Sequence, residues 1–242
     1  MPLGCFPENS FPNPEHACWR RQKSEYSRLS HFRKITIATG EPALRGGRMV
    51  HKFDPARLGS LTSDRRQQAV KPLALLQRAG VRAEQTILDW GCGAGFFALP
   101  AAQLVGPNGR LIGVDVQPEM VSATQEAARQ AGLTNVEVRL ASGDYDLPEG
   151  IGPVDWVILA YVLHEVGDPQ KLLRAARQIL APQGRLLIIE WPKEEGPHGP
   201  PLAERLSPAD LPAWYQPLDL RRQMFWEVPP EYYALVLAPG QE

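Results

Sequence analysis

The sequence predicts an α/β fold in which a doubly wound, mostly parallel seven-stranded sheet with an antiparallel last strand carries helices on both faces. Three observations predict it. From residue 49 onward, short apolar runs alternate with helical periodicities, the signature of a parallel sheet covered by helices. The run Val154 to Ala160 is almost wholly apolar, as a strand buried on both faces must be. Finally, Leu218 to Val228 and Tyr232 to Ala238 are extended segments separated by Pro229 and Pro230, and they read as a closing hairpin.

The elements follow in order. Arg65 to Ala79 has the spacing of an amphipathic helix leading into the domain. Thr86 to Trp90 is a short apolar strand, followed by a glycine-rich turn and a helix expected from about Gly95 to Val105, which Gly106, Pro107, Asn108 and Gly109 stop. Arg110 to Val114 makes the second strand. Pro118 at a first-turn position and Gly132 past the end bracket a helix with Met120, Thr124, Ala127, Ala128 and Ala131 on one face. Val136 to Leu140 is the third strand. After the fourth, Asp168 is a ready N-cap with Pro169 behind it, and Leu172, Leu173, Ala176, Ile179 and Leu180 form the buried stripe of the next helix. Pro182, Gln183 and Gly184 turn the chain into a fifth strand, Arg185 to Trp191, and a short helix is expected around Ser207 to Trp214, capped by Ser207.

The 242 residues, 43% hydrophobic and 22% charged, suffice for one α/β domain with a substantial core. A formal net charge of -1 gives no concentrated basic surface, so no obligatory nucleic-acid partner and no anionic membrane is expected. No apolar run approaches a membrane span and no secretory signal opens the chain, so a cytoplasmic location is expected. Cys5, Cys18 and Cys92 build neither a disulfide framework nor a zinc site, and no metal is expected. Residues 1–48 stand apart, with five prolines, no apolar period and eight Lys/Arg against four Glu. They read as a disordered extension, or as sequence upstream of a true start at Met49, ahead of a domain spanning 49–242. A basic arm touching a partner is the alternative.

The segment ILDWGCGAGFF places Asp89 at the end of a buried strand and Gly91, Gly93 and Gly95 in the turn behind it. Glycines at alternate positions let the backbone approach a ligand at the carboxyl end of the sheet. Twenty residues after Gly95, Asp115 closes the second strand, where a carboxylate can accept hydrogen bonds from both hydroxyls of a ribose. The ligand therefore contains an adenosine-like sugar. A dinucleotide fingerprint wants a third glycine where Phe96 stands, which disfavours an NAD(P)-dependent oxidoreductase.

The pattern from Asp89 to Gly95 instead resembles the D-x-G-x-G-x-G motif of class I S-adenosylmethionine (SAM)-dependent methyltransferases, whose fold is Rossmann-like. GVDVQPEM resembles the family's second-strand acidic motif, SGDYDLP the segment after its third strand, and VDWVILAYVLHEVGDPQKLLRAARQILAPQGRLLIIEW the stretch from fourth to fifth strand in relatives of the ubiquinone and menaquinone biosynthesis C-methyltransferases. The likeness covers roughly residues 50 to 200. HKFDPARLGSLTSDRR and EWPKEEGPHGPPLAERLSP are similar to a group of small prokaryotic methyltransferases of mostly unassigned substrate. Two departures stand out: Trp90 replaces a commoner small or aliphatic residue, and no Gly-Phe step follows Trp214.

The resemblance implies SAM as cofactor, contacted by Asp89, Gly91, Cys92, Gly93 and Gly95 in the turn and by Asp115, Val116 and Met120 after the second strand. It further implies Gly143 and Asp144, the latter on the adenine amino group, and Ala160. Methyl transfer from a sulfonium is an in-line displacement, so holding the acceptor is the protein's main task and a small-molecule acceptor is expected. Candidate acceptor contacts are His51, Phe53, Tyr161, Trp191 and Lys193, and His164 is the candidate general base. Glu165, Glu194 and Glu195 read as solvated charges. Arsenite methyltransferases resemble the domain but need several cysteines, and Cys5 and Cys18 fall in the extension, so that substrate is rejected. A SAM-binding protein without transferase activity stays compatible with the sequence.

Overall fold

The computed structural model describes residues 52–240, together with the backbone of 44–45 and 48–49. Leu44–Arg45 pairs antiparallel with Arg48–Met49. The expectations for residues 1–43 and for His51 lie outside the described residues.

Seven strands form one sheet: β1 Thr86–Trp90, β2 Arg110–Asp115, β3 Val136–Leu140, β4 Val154–Ala160, β5 Leu180–Glu190, β6 Leu220–Val228 and β7 Tyr232–Pro239, in the order β3-β2-β1-β4-β5-β7-β6. The first five run parallel. β7 alone is reversed, antiparallel to both β5 and β6. The closing hairpin is therefore present, and its reversed strand lies inside the sheet with β6 at the edge.

Helices connect the parallel strands: α1 Leu58–Leu61, α2 Asp64–Val70 and α3 Pro72–Ala79 precede β1, and α4 Ala98–Val105, α5 Pro118–Gln130 and α6 Pro169–Ile179 follow β1, β2 and β4. The connections β1 to β2 and β2 to β3 step one way along the sheet and β4 to β5 the other. Right-handed crossovers consequently set α4 and α5 on one face and α6 on the opposite one. Packing agrees: Leu88, Trp90, Ile112 and Val114 share one core layer with Leu172, Leu173 and Ala176 of α6. Trp90 fills this layer at 3% exposure, which accounts for an aromatic where smaller residues are common.

Local chemistry sets the boundaries. Asp168 accepts the Lys171 amide at 2.9 Å and Pro169 opens α6, as expected. The single helix expected from Arg65 to Ala79 is two, because Pro72 disfavours a helical Lys71, which turns left-handed at φ 49°. The expected helix from Gly95 starts only at Ala98, since residues 93–97 are still turning. Likewise β5 begins at Leu180: Leu180 pairs with Val154 and Arg185 with Trp156, so Pro182-Gln183-Gly184 is a bulge within the strand. The helix expected from Ser207 is reduced to α7, Pro212–Tyr215, because the Ser207 carbonyl closes a turn on the Asp210 amide at 3.0 Å. In place of the missing Gly-Phe step, Asp219 at φ 53° turns the chain into β6. No described helix is long and apolar enough to cross a membrane.

Candidate functional site

The carboxyl ends of β1, β2, β4 and β5 open onto a cavity of about 720 Å³, at the switch point where chain order reverses between β1 and β4. Its floor is the glycine turn. Gly91, Gly93 and Gly95 adopt φ of 80°, 53° and 82°, a region that side chains rarely tolerate. A Cβ on Gly91 would stand 2.5 Å from Val162 Cγ2, so glycine is required for the loop after β4 to close over the turn. On Gly95 it would collide with Leu99 Cδ1. Gly95 is buried against α4 and α5, behind the cavity wall.

The turn's amides point inward. Gly91 and Cys92 both donate to the Val114 carbonyl, at 2.7 and 3.1 Å, and Gly95 donates to the Cys92 carbonyl at 3.0 Å. Gly93 donates to Asp115 Oδ2 at 2.9 Å, while the Thr124 hydroxyl donates to the Gly93 carbonyl at 2.6 Å. Asp89 accepts from the Ala98 amide and so occupies the N-terminus of α4. A dinucleotide pyrophosphate binds through free amides of such a turn and the helix end behind it. Here the amides of Gly91, Cys92, Gly93 and Gly95 are taken within the protein, and the Asp89 carboxylate occupies the helix end.

Charge separates the two ligands further. Seven Asp/Glu and four Lys/Arg line the cavity. That balance opposes a pyrophosphate and suits a sulfonium. Burial, reinforced by the charge of Asp115, pushes the Asp89 pKa up to about 7 against the pull of the Ala98 amide. Asp89 Oδ2 has no hydrogen-bond partner, so the carboxylate sits at the cavity wall with acceptor capacity left for an ammonium. The residues fit the methionine end of SAM. Asp115, 8% exposed, also accepts the Gln117 amide at 3.0 Å; burial raises its pKa although these amides and Lys52 oppose the shift. Each of its oxygens holds one amide, which leaves lone pairs for ribose hydroxyls.

Beyond the turn, the cavity continues between α2 and the loops after β4 and β5. Tyr161, held at φ 60°, stacks on Trp191 with ring centroids 5.0 Å apart. The Arg66 guanidinium lies 4.4 Å from the Phe96 ring and 4.9 Å from the Tyr161 ring, and burial lowers its pKa. His164 is 5% exposed; its Nδ1 is 2.8 Å from Glu190 Oε2 and its Nε2 is 3.8 Å from Glu165 Oε1. Burial pulls the imidazole pKa down, but the charge and hydrogen bond of Glu190, with Glu165 and Glu204 beyond, outweigh it and leave the pKa raised. Glu165 is pushed up to about 7 by burial, against His164, Lys52 and the Phe53 amide.

Of the residues expected to hold the cofactor, Asp89, Gly91, Cys92, Gly93, Asp115, Val116, Met120, Asp144 and Ala160 line the cavity, whereas Gly95 and Gly143 do not. Phe53, Tyr161, His164 and Trp191 line its other half. Lys193 is exposed outside it, because β5 stops at Glu190 and the buried Pro192 carries the chain away. Glu165 is no solvated charge: its side chain is 23% exposed and faces the cavity. Sequence reasoning missed Glu190, fully buried beneath His164, although an acid ending an apolar strand was a visible signal. It also missed Arg66 and Lys52, whose roles depend on α2 and its leading segment folding over the turn. Lys52 pairs with Asp144 at 2.7 Å, and Gln117 donates to the Phe53 carbonyl at 3.0 Å.

A doubly wound sheet whose glycine turn is flanked by the buried acids Asp89 and Asp115, beneath a cavity richer in acids than in cations, fits the class of nucleoside-sulfonium-binding proteins. The comparisons agree: the methyltransferase-domain family matches residues 82–205, half of the chain, and the chain belongs to that family, the class I SAM-dependent methyltransferases. The crystal structure of a SAM-dependent methyltransferase from Aquifex aeolicus superimposes with a TM-score of 0.71 at 32% identity, over 77% of this chain and 98% of that one. The ubiquinone/menaquinone biosynthesis C-methyltransferase UbiE of Klebsiella pneumoniae is 34% identical over 132 residues, 54% of this chain and 49% of that protein. An arsenite methyltransferase of Halobacterium salinarum is 38% identical over 112 residues, 46% of this chain and 28% of that protein. The chain thus spans about half or less of these curated relatives. SAM is the cofactor of the family.

Proposed function

We propose that the protein transfers the methyl group of SAM to a small-molecule acceptor by in-line displacement. SAM supplies the activated methyl group when bound. Asp115 holds the ribose hydroxyls, Asp89 the ammonium, and Met120 and Val116 flank the adenine, whose amino group is received by Asp144 Oδ2 while Lys52 stays on Oδ1. Inward-turned amides beneath a cavity richer in carboxylates than in cations are the observation that carries this reading, because they suit a sulfonium and repel a pyrophosphate.

The protein's own groups do the positioning. Tyr161 and Trp191 wall the acceptor half, Arg66 fixes the Tyr161 ring, and the segment from Lys52 to Val70 covers the turn and keeps water from the methyl group. A chamber of this kind beyond the cofactor turn favours transfer over cofactor binding alone. Cys92 is the free cysteine among the described residues and is buried, with its thiol pKa pushed well up by burial, so it fits the turn as a small apolar side chain rather than a metalloid ligand.

Calorimetric titration with SAM and with NADH, followed by measurement of S-adenosylhomocysteine (SAH) release over a metabolite panel, tests the function. SAM binding with SAH release from one acceptor class is expected. Binding of NADH in preference to SAM would overturn the reading.

A further inference from the structure

Two carboxyls facing the cavity are held with too little compensating charge: Asp89 beneath the cofactor half and Glu165 in the acceptor half. SAM carries an ammonium for the first. The sulfonium of SAM is offset by its own carboxylate, so no net charge of SAM is left for the second, and this asymmetry bears on what the acceptor must bring.

We propose that the methyl acceptor is an amine that arrives protonated, and that Glu165 receives its ammonium group and takes the proton that frees the nitrogen lone pair. The inference rests on the methyltransferase reading above. Glu165 follows β4 on a short turn of helix, Leu163–Glu165, and lines the cavity that the Tyr161–Trp191 pair also lines. Aromatic faces and a carboxylate together form a receptor for an organic cation. The groups around Glu165 offset its charge only in part. Lys52 is shared with Asp144 at 2.7 Å, Arg66 is stacked between Phe96 and Tyr161, and the Phe53 amide is neutral. His164 stands 3.8 Å away, but its one charge is shared with Glu190 at Nδ1, so a single imidazolium faces two acids. Glu231, across the cavity, is paired with Arg65 at 3.2 Å. Acids outnumber cations around Glu165, and a protonated amine makes up the deficit.

The chemistry balances. The ammonium proton passes to a Glu165 oxygen, the freed lone pair forms the N–C bond to the methyl carbon as the C–S bond breaks, and that bond pair stays on sulfur. A methylated ammonium and a neutral thioether result, without an oxidant or co-reactant. A carboxyl near neutrality in pKa is suited to this proton transfer. His164 becomes a positioning residue, holding Glu165 through its Nε2 while Glu190 fixes the ring.

Three probes of similar size separate the possibilities: benzylamine, benzyl alcohol and benzoate, titrated calorimetrically into the full chain saturated with SAH. Benzylamine is expected to bind about tenfold more tightly than benzyl alcohol, the scale of one charge-assisted contact. Its affinity rises with pH through about 7, as Glu165 ionises. Glu165→Gln removes the preference and leaves SAH affinity unchanged, and Glu165→Asp, which keeps the charge, retains part of it. Equal binding of the alcohol, preference for benzoate, no binding by any probe, or a preference surviving in Glu165→Gln overturns the amine assignment while SAH binding still upholds the methyltransferase reading. Failure of SAH itself to bind would reject both.

Discussion

Asp115 and Gly93 are joined by a 2.9 Å hydrogen bond from the Gly93 amide to Asp115 Oδ2, across 22 residues of sequence. The acid that closes β2 therefore ties down the glycine turn and also lines the cavity, where the proposed function gives it the ribose. Asp115→Ala is expected to weaken SAM binding by about 1 to 3 kcal/mol. Because the turn loses an anchor, the melting temperature of the ligand-free protein falls too. Calorimetry and thermal melts check both; unchanged SAM affinity would remove Asp115 from the cofactor site.

The approach of Val162 to Gly91 supplies a second expectation. Gly91→Ala combines a left-handed backbone, costing about 1 to 2 kcal/mol for a residue with a side chain, with a collision at 2.5 Å. Adding Val162→Ala clears the collision and leaves the backbone strain. The double variant should recover part of the lost stability. Recovery of none, measured by chemical denaturation, would show that contact with Val162 is not what requires glycine.

Legibility in the sequence followed the range of the forces involved. The strands, the α6 cap at Asp168 and the run from Asp89 to Gly95 are encoded in neighbouring residues, and all were readable. The break at Lys71 was readable as well, since Pro72 announces it, but the apolar spacing from Arg65 to Ala79 masks it. Neither the Tyr161–Trp191 stack nor the Glu190–His164 pair is local: each joins the ends of β4 and β5, and nothing in either segment names the other. Glu165 followed the rule that isolated acids are solvated, and the rule failed because Lys52 and Phe53, in the stretch before Arg65 that the pattern left unplaced, fold against it.

Asp89 predicts a pH dependence. Its folded-state pKa of about 7 lies above its ordinary value of 3.8, so the folded protein binds the extra proton and ligand-free stability falls as pH rises from about 4 to about 7. Asp89→Asn removes this contribution. Above pH 7 the variant should be more stable than the parent, by about 1 to 3 kcal/mol, with a shallower slope below it. SAM affinity behaves oppositely, weakening in the parent as pH drops below about 7 and weak at all pH in the variant. A parent-minus-variant stability difference independent of pH would contradict the assignment.

Arg205 is a structural knot for the loop after β5. Buried at 4% exposure, it donates to the carbonyls of Pro200, Pro192, Glu194 and His198, at 3.0, 3.3, 2.6 and 2.5 Å. Gly199 packs so close to Trp191 that a Cβ there would stand 2.8 Å from the indole. Arg205→Met should cost about 2 to 4 kcal/mol by orphaning these carbonyls, and should impair the acceptor half while sparing SAH affinity. Loss of SAH affinity equal to the loss of turnover would contradict that division of the cavity.

The most direct test of the central claim is the crystal structure of the SAH complex. The account predicts the ribose hydroxyls on Asp115, the ammonium toward Asp89, and the sulfur facing Tyr161 and Trp191. SAH bound elsewhere, or a glycine turn left bare at saturating SAH, would contradict it.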